Sequence, residues 1–142
     1  MLVAQILKDK GDQVFTCAPA DTVAEAARAL HERRVGAMVV CEGDRVVGIL
    51  SERDIVSGVA RDGHAALDRP VSTYMTADVV FAKPSEAVDA LMGRMTDRRI
   101  RHLPVLNEER LSGIVSIGDV VKCKIAETEQ EAETLKAYIV SG

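Results

Sequence analysis

The sequence has no tryptophan and only two tyrosines and two phenylalanines among its 142 residues. Its core must therefore be aliphatic, and it lacks the aromatic platforms on which single-stranded nucleic-acid binding depends. Basic charge is short as well. Lysine and arginine total 18 against 22 acidic residues, a net charge of −4, so no global positive field draws in DNA, RNA or an anionic membrane. No apolar run approaches the length of a membrane span. The N-terminus shows no apolar stretch followed by a small-residue cleavage site, which makes the cytoplasm the expected compartment. The three cysteines, Cys17, Cys41 and Cys123, are odd in number and share no metal-ligand spacing, in keeping with a reducing interior and no bound metal. Phosphate loops of the Walker type and Ser–His–Asp or Cys–His clusters are missing too, so catalysis is not expected. Cys17 and Cys41 lie in apolar runs and read as core filler rather than nucleophiles. His31 and His64 have no clustered ligands and read as solvent-facing.

What is present is a chain of one domain's length, 47% hydrophobic and 28% charged, that contains one stretch twice. Gly48-Ile49-Leu50-Ser51-Glu52-Arg53-Asp54 returns as Gly113-Ile114-Val115-Ser116-Ile117-Gly118-Asp119, 65 positions on. The same offset sets Pro19 on Pro84, Val23 on Val88, Arg33-Arg34 on Arg98-Arg99 and Arg45 on Arg110 without a gap. This is an internal duplication.

Each copy reads as helix–strand–helix–strand–strand–helix. In the first, Val3, Ile6 and Leu7 share a helical face ended by Gly11, and Val14–Cys17 is a strand. Asp21 or Thr22 caps a helix facing inward through Val23, Ala26, Ala27 and Leu30. Ala37–Cys41 and Arg45–Leu50 flank a hairpin turn at Glu42-Gly43-Asp44, and Ser51 opens a helix to about Ala60. In the second, Val71–Met75 is the opening turn, Val79–Ala82 a strand, and Ser85 or Glu86 the start of a helix. His102–Leu106 and Arg110–Val115 form the second hairpin, and Ser116 opens the last helix. Residues 1–60 and 71–122 are thus the two repeats, 61–70 a polar linker and 123–142 a helical extension. Along that extension Val121, Ile125, Thr128, Ala132, Leu135 and Ile139 recur at steps of four and three, a stripe of coiled-coil type. It could pack on its own domain or form a seam with a second subunit. A single repeat has too little core to stand alone, so the fold class is α/β of the α+β type. Two β-α-β-β-α repeats pack sheet to sheet about a pseudo-twofold axis.

Ser51-x-x-Asp54 and Ser116-x-x-Asp119 fall where a strand becomes a helix. A serine N-cap with an acid three residues on is a capping arrangement, and the residues alone favour that reading. The same place suits a ligand, because a helix start offers free N–H groups and a carboxylate can accept both hydroxyls of a ribose.

Pro-x-x-x-Val, followed by a hairpin closing on Gly-Ile-hydrophobic-Ser-x-x-Asp, resembles the CBS domain (cystathionine β-synthase domain). Two copies in tandem resemble a CBS pair, or Bateman module, of the kind with no catalytic domain attached. The resemblance implies two clefts, each holding an adenosine ligand: AMP first, with ADP, ATP, S-adenosylmethionine or NAD(H) as alternatives. It places the ribose on Asp54 and Asp119, and ribose or phosphate on Ser51 and Ser116, with Ile117 and Gly118 in the second cleft. The base would lie against the other copy's opening segment. That segment is Thr76 to Val80, with Asp78, for the Asp54 cleft, and Lys10 to Val14, with Asp12, for the Asp119 cleft. Arg101 and His102 match the family's phosphate-contacting pair, which implies that the Asp119 cleft is the better phosphate site. Gly36-Ala37 stands at those positions in the first copy, where Arg53 would partly compensate. Read without the family, Arg101 and His102 are a basic hairpin edge that resists aggregation. The implied function is a regulatory, energy-sensing module that binds nucleotide and alters a partner, such as a regulated enzyme, or its own assembly as a homodimer. The alternative is a structural homodimeric module with empty clefts.

Overall fold

In the computed structural model, residues 1–11 and 13–141 are described. Helix α1 (Val3–Lys10) leads into a short strand β1 (Thr16–Cys17), helix α2 (Val23–Arg33), the hairpin β2 (Ala37–Glu42) and β3 (Arg45–Ser51), and helix α3 (Glu52–Asp62). The second half has helix α4 (Val88–Arg98), the hairpin β4 (His102–Asn107) and β5 (Arg110–Ser116), and helix α5 (Ile117–Ser141). One sheet has the order β1-β2-β3, and the other is the β4-β5 pair.

The duplication reaches into backbone detail. Both hairpins carry an irregularity at matched positions, Val40/Cys41 and Val105/Leu106. Helices α2 and α4 both end on an arginine in the left-handed region, Arg34 (φ 55°) and Arg99 (φ 54°). The second hairpin turn places Glu108 and Glu109 at positive φ, as the primed two-residue turn requires.

Three expectations need correction. The strand at Val79–Ala82 shrinks to a single bridge between Ala82 and Val105. The helix expected from Ser85 or Glu86 begins at Val88, because Glu86 is engaged by Arg94 and Ala87 bridges to Leu2. The polar stretch read as a linker is a 3-10 helix at Gly63–Asp68, whose Ala66 is fully buried. Of the two readings left open for the α5 stripe, packing on its own domain is not what the structure has: Val121, Ile125, Leu135 and Ile139 are all exposed.

There are two cores, and each is completed by the segment leading into the other repeat. Val3 and Ile6 of α1 are buried with Val88, Leu91, Leu103, Val105 and Val115. Ala66, Val71 and Tyr74 are buried with Val23, Ala26, Val40 and Leu50. Matched hydrogen bonds fasten both exchanges. Val71 N–H donates to Asp21 at 2.7 Å and Ser72 to Pro19 at 3.0 Å, just as Val3 donates to Glu86 and Ala4 to Pro84, both at 3.0 Å. The leading segments therefore superpose as Val3 on Val71, three residues out of step with the rest of the repeat. That register pairs Leu7 with Met75 and Lys10 with Asp78.

Gly58 marks how closely these parts fit. A methyl group there would meet the Tyr74 ring at 2.7 Å. Gly58→Ala gains up to about 1 kcal/mol of helix propensity but incurs about 2 kcal/mol of overpacking against a ring that cannot retreat. Urea denaturation should show a net loss of about 1 kcal/mol; a gain would mean that Tyr74 is loosely held.

Candidate functional site

Ser51 closes β3 and caps α3. Its Oγ accepts from the Asp54 N–H at 3.3 Å, while Asp54 Oδ2 accepts from the Ser51 N–H at 2.9 Å and from its hydroxyl at 3.1 Å. Ser116 and Asp119 repeat this at 3.2, 2.8 and 3.0 Å. The capping reading holds in both copies, and in both the contacts fall on one carboxylate oxygen, Oδ2.

The two sites then diverge. Lys10 Nζ lies 2.7 Å from Asp119 Oδ2 and donates to the Ile114 carbonyl at 2.9 Å. Burial pushes the Asp119 carboxyl up, but the Lys10 ammonium and the Ser116 donors more than offset this and hold it below its ordinary value. Asp54 has no such cation among the described residues. The residue corresponding to Lys10 on its side is Asp78, which carries no cation to pair with Asp54. There the edge of the cleft is instead closed by backbone, with Thr76 and Ile49 exchanging bonds of 2.9 and 3.0 Å.

A cavity of about 260 Å³ opens beside Asp54, near the small end of the range for ligand pockets. Of the residues singled out in the sequence, it brings together Ser51, Arg53, Asp54, Thr76, Asp78, Val80, Arg101 and His102. Arg101 and His102, which the sequence assigns to the Asp119 cleft, thus line the Asp54 cavity. Lys10, Ser116, Ile117, Gly118, Asp119 and the half-buried Val14 are not part of its wall. Asp12 lies outside the described residues.

The reason for this crossing is the pseudo-twofold axis. It sets the head of β4 against the head of β2, where a methyl group on Gly36 would come within 3.1 Å of His102 Nε2. A side chain there would press on the imidazole, which would have to shift by a few tenths of an ångström. Burial pushes the His102 pKa down; nearby Glu52 and Asp119 raise it, Lys10 and Arg101 lower it, and the net value falls below the ordinary one. His102 is therefore neutral at pH 7, able to donate one hydrogen bond and accept another.

The sequence reading missed Ile49, Glu52, Arg99 and Ile100. Ile49, Val79, Val80 and Ile100 supply apolar wall, while Arg53, Arg99 and Arg101 supply cation. The small residue at Gly36 was the available signal, because a duplicated position without a side chain marks where the other copy's side chain must fit. Arrayed this way, the cavity offers three carboxylates (Glu52, Asp54 at a helix start, and Asp78), three guanidinium groups, the His102 imidazole and an apolar flank. That set suits a ligand carrying a diol, an anionic group and a flat apolar portion.

The cysteines offer little nucleophilic character. Burial pushes the Cys17 thiol up to about 11, and Cys41 and Cys123 are raised for the same reason, so all three are protonated near neutrality. No helix among the described residues is long and apolar enough to cross a membrane.

The CBS domain family model matches residues 3–61 and 71–125. The mitochondrial CBS domain-containing protein CBSX3 of Arabidopsis thaliana is 34% identical, over 99% of this chain and 72% of its own length. Among solved structures, the CBS-domain containing protein ATU1752 of Agrobacterium tumefaciens superposes with a TM-score of 0.86 at 44% identity, covering 87% of this chain and 99% of that one. The CBS domain protein PAE2072 of Pyrobaculum aerophilum, solved in complex with AMP, superposes with a TM-score of 0.75 at 27% identity, covering 84% and 89%.

Proposed function

Since the chain belongs to the CBS-domain family, we propose that it is a non-catalytic regulatory module that binds an adenosine nucleotide, AMP first among them, in the Asp54 cavity. The observation that carries this reading is the meeting, in one cavity, of the Asp54 helix start with Arg101 and His102 from the other repeat. The ribose diol would sit on Asp54, the phosphate among Arg53, Arg101 and His102, and the base against Ile49, Val80 and Ile100. The AMP complex of PAE2072 supports the ligand class. ADP, ATP, S-adenosylmethionine and NAD(H) carry the same adenosine half and would compete for the same contacts.

Because the ligand touches both repeats, it would favour one arrangement of the pair over others. It could then shift a regulated partner protein or a homodimer by population. The second reading, a structural module with empty clefts, draws on the Lys10–Asp119 pair, which fills one site from within the chain. Native mass spectrometry of the protein as purified, followed by calorimetry with AMP, separates the two. A nucleotide adduct or a binding isotherm supports the sensor, and silence in both supports the scaffold.

The phosphate assignment has its own test. Arg101 is exposed at the cavity mouth, and a guanidinium–phosphate pair contributes about 1.5–3 kcal/mol. Arg101→Ala should therefore weaken AMP at least about tenfold while leaving adenosine, which has no phosphate, within about twofold. An equal loss for both ligands would place the phosphate elsewhere.

A further inference from the structure

Helix α5 runs 25 residues, about 37 Å, and only its first turns rest on the body of the protein. Val120 and Cys123 are buried, and Lys124 is tied to Asp89 at 2.8 Å and to Glu127 at 3.0 Å. Every residue from Thr128 to Ser141 is exposed. The apolar stripe nevertheless persists through this free half, with Ile125 54%, Leu135 60% and Ile139 67% exposed. A glutamate-rich helix of this length is marginal in water unless its apolar face is covered.

We infer that α5 forms a parallel, in-register two-stranded coiled coil with α5 of a second copy of this chain. Ile125, Ala132 and Ile139 fall at a positions and Val121, Thr128 and Leu135 at d. Isoleucine at a with leucine at d is the pattern of parallel dimers. Of the residues that hold α5 to its own body, Val120, Cys123 and Glu127 lie at the outer c and f positions and Lys124 at the flanking g position. The seam therefore faces away from the side of α5 that rests on the body.

Charge sets the direction. In a parallel pair, Glu131 at g faces Lys136 at e of the partner helix, twice by symmetry. Full antiparallel overlap would instead oppose Glu129 to Glu129, Glu131 to Glu131 and Lys122 to Lys136. Self-complementarity of this kind points to another copy of the chain rather than to an unrelated helix. An acidic helix is also repelled by an anionic membrane.

This inference rests on the homodimer reading above, and its test keeps the two apart. Thr128→Cys, at a d position, should give a disulfide-linked dimer on mild oxidation of the full chain. The parent and Gln130→Cys, on the outer face, should give none. Antiparallel pairing would set residue 128 opposite 132 and hold the two thiols beyond disulfide reach. Lys136→Glu should raise the dimer dissociation constant about tenfold, and Glu131→Lys added to it should restore the original value. A dimer in sedimentation with no cross-link at Thr128→Cys overturns the coil but leaves the homodimer standing through another face, such as the exposed Val56 and Val59 of α3. A monomer at tens of micromolar overturns both.

Discussion

Asp54→Ala should weaken AMP binding by about a hundredfold or more in calorimetry, the largest loss expected from any single substitution in the cavity. A carboxylate accepting both hydroxyls of a ribose makes two charge-assisted hydrogen bonds, each contributing about 1.5–3 kcal/mol. Losing both costs at least about 3 kcal/mol, and each 1.4 kcal/mol is a factor of ten. The fold survives the change. Asp54 also completes the α3 cap, but Ser51 remains the N-cap, so stability falls by about 1 kcal/mol. Asp54→Asn keeps one acceptor oxygen for the Ser51 N–H and should fall between the parent and the alanine variant in affinity. An alanine variant that binds AMP within threefold of the parent would mean that the carboxylate is a cap and nothing more.

Lys10→Ala should raise the AMP stoichiometry from one per chain to two. In the parent, a ribose entering the second cleft must displace an ammonium already 2.7 Å from Asp119 Oδ2. Lys10 and Asp119 are each partly exposed, so solvent screening limits the penalty to about 1–2 kcal/mol, still some tenfold in affinity. The phosphate would find little compensation there, because Arg101 and His102 line the other cavity. Removing Lys10 leaves Asp119 with the same serine donors that Asp54 has, and with no competitor. Stoichiometry unchanged at one would show that the second cleft is closed by more than Lys10. Weaker binding at the first cleft would show that Lys10 serves it across the axis.

Those two substitutions differ in how visible their targets are in the amino-acid sequence. Ser51, Asp54, Ser116 and Asp119 are legible because a cap is local, with donor and acceptor three residues apart at a strand-to-helix junction. The hairpins and the inward faces of α2 and α4 are legible for the same reason, through alternation and helical spacing. The crossing of Arg101 and His102 into the Asp54 cavity is not, since it depends on an axis relating two segments distant in the chain. The mismatch of Lys10 with Asp78 is hidden too: the leading segments superpose three residues out of step with the duplication, so a fixed offset pairs Lys10 with the wrong residue. Val79–Ala82 fails as a strand because apolar composition cannot say whether an edge is free. Here only Ala82 pairs, with Pro104 and Leu106, while Val79 and Val80 line the cavity. Residues 61–70 look like a linker because their burial is confined to Ala66 and the half-buried Asp62 and Leu67.

The exchange of leading segments sets a rule for what one repeat could do by itself. A polypeptide holding a single unit would carry an α1 with no groove of its own to fill and a groove with no α1 to fill it. Two such polypeptides would satisfy each other by reciprocal swapping. Fusing the units end to end replaces that encounter between molecules with a tethered one at high effective concentration. Neither half of this protein is then an independent folding unit, and a molecule bridging the halves acts on the stability of the whole.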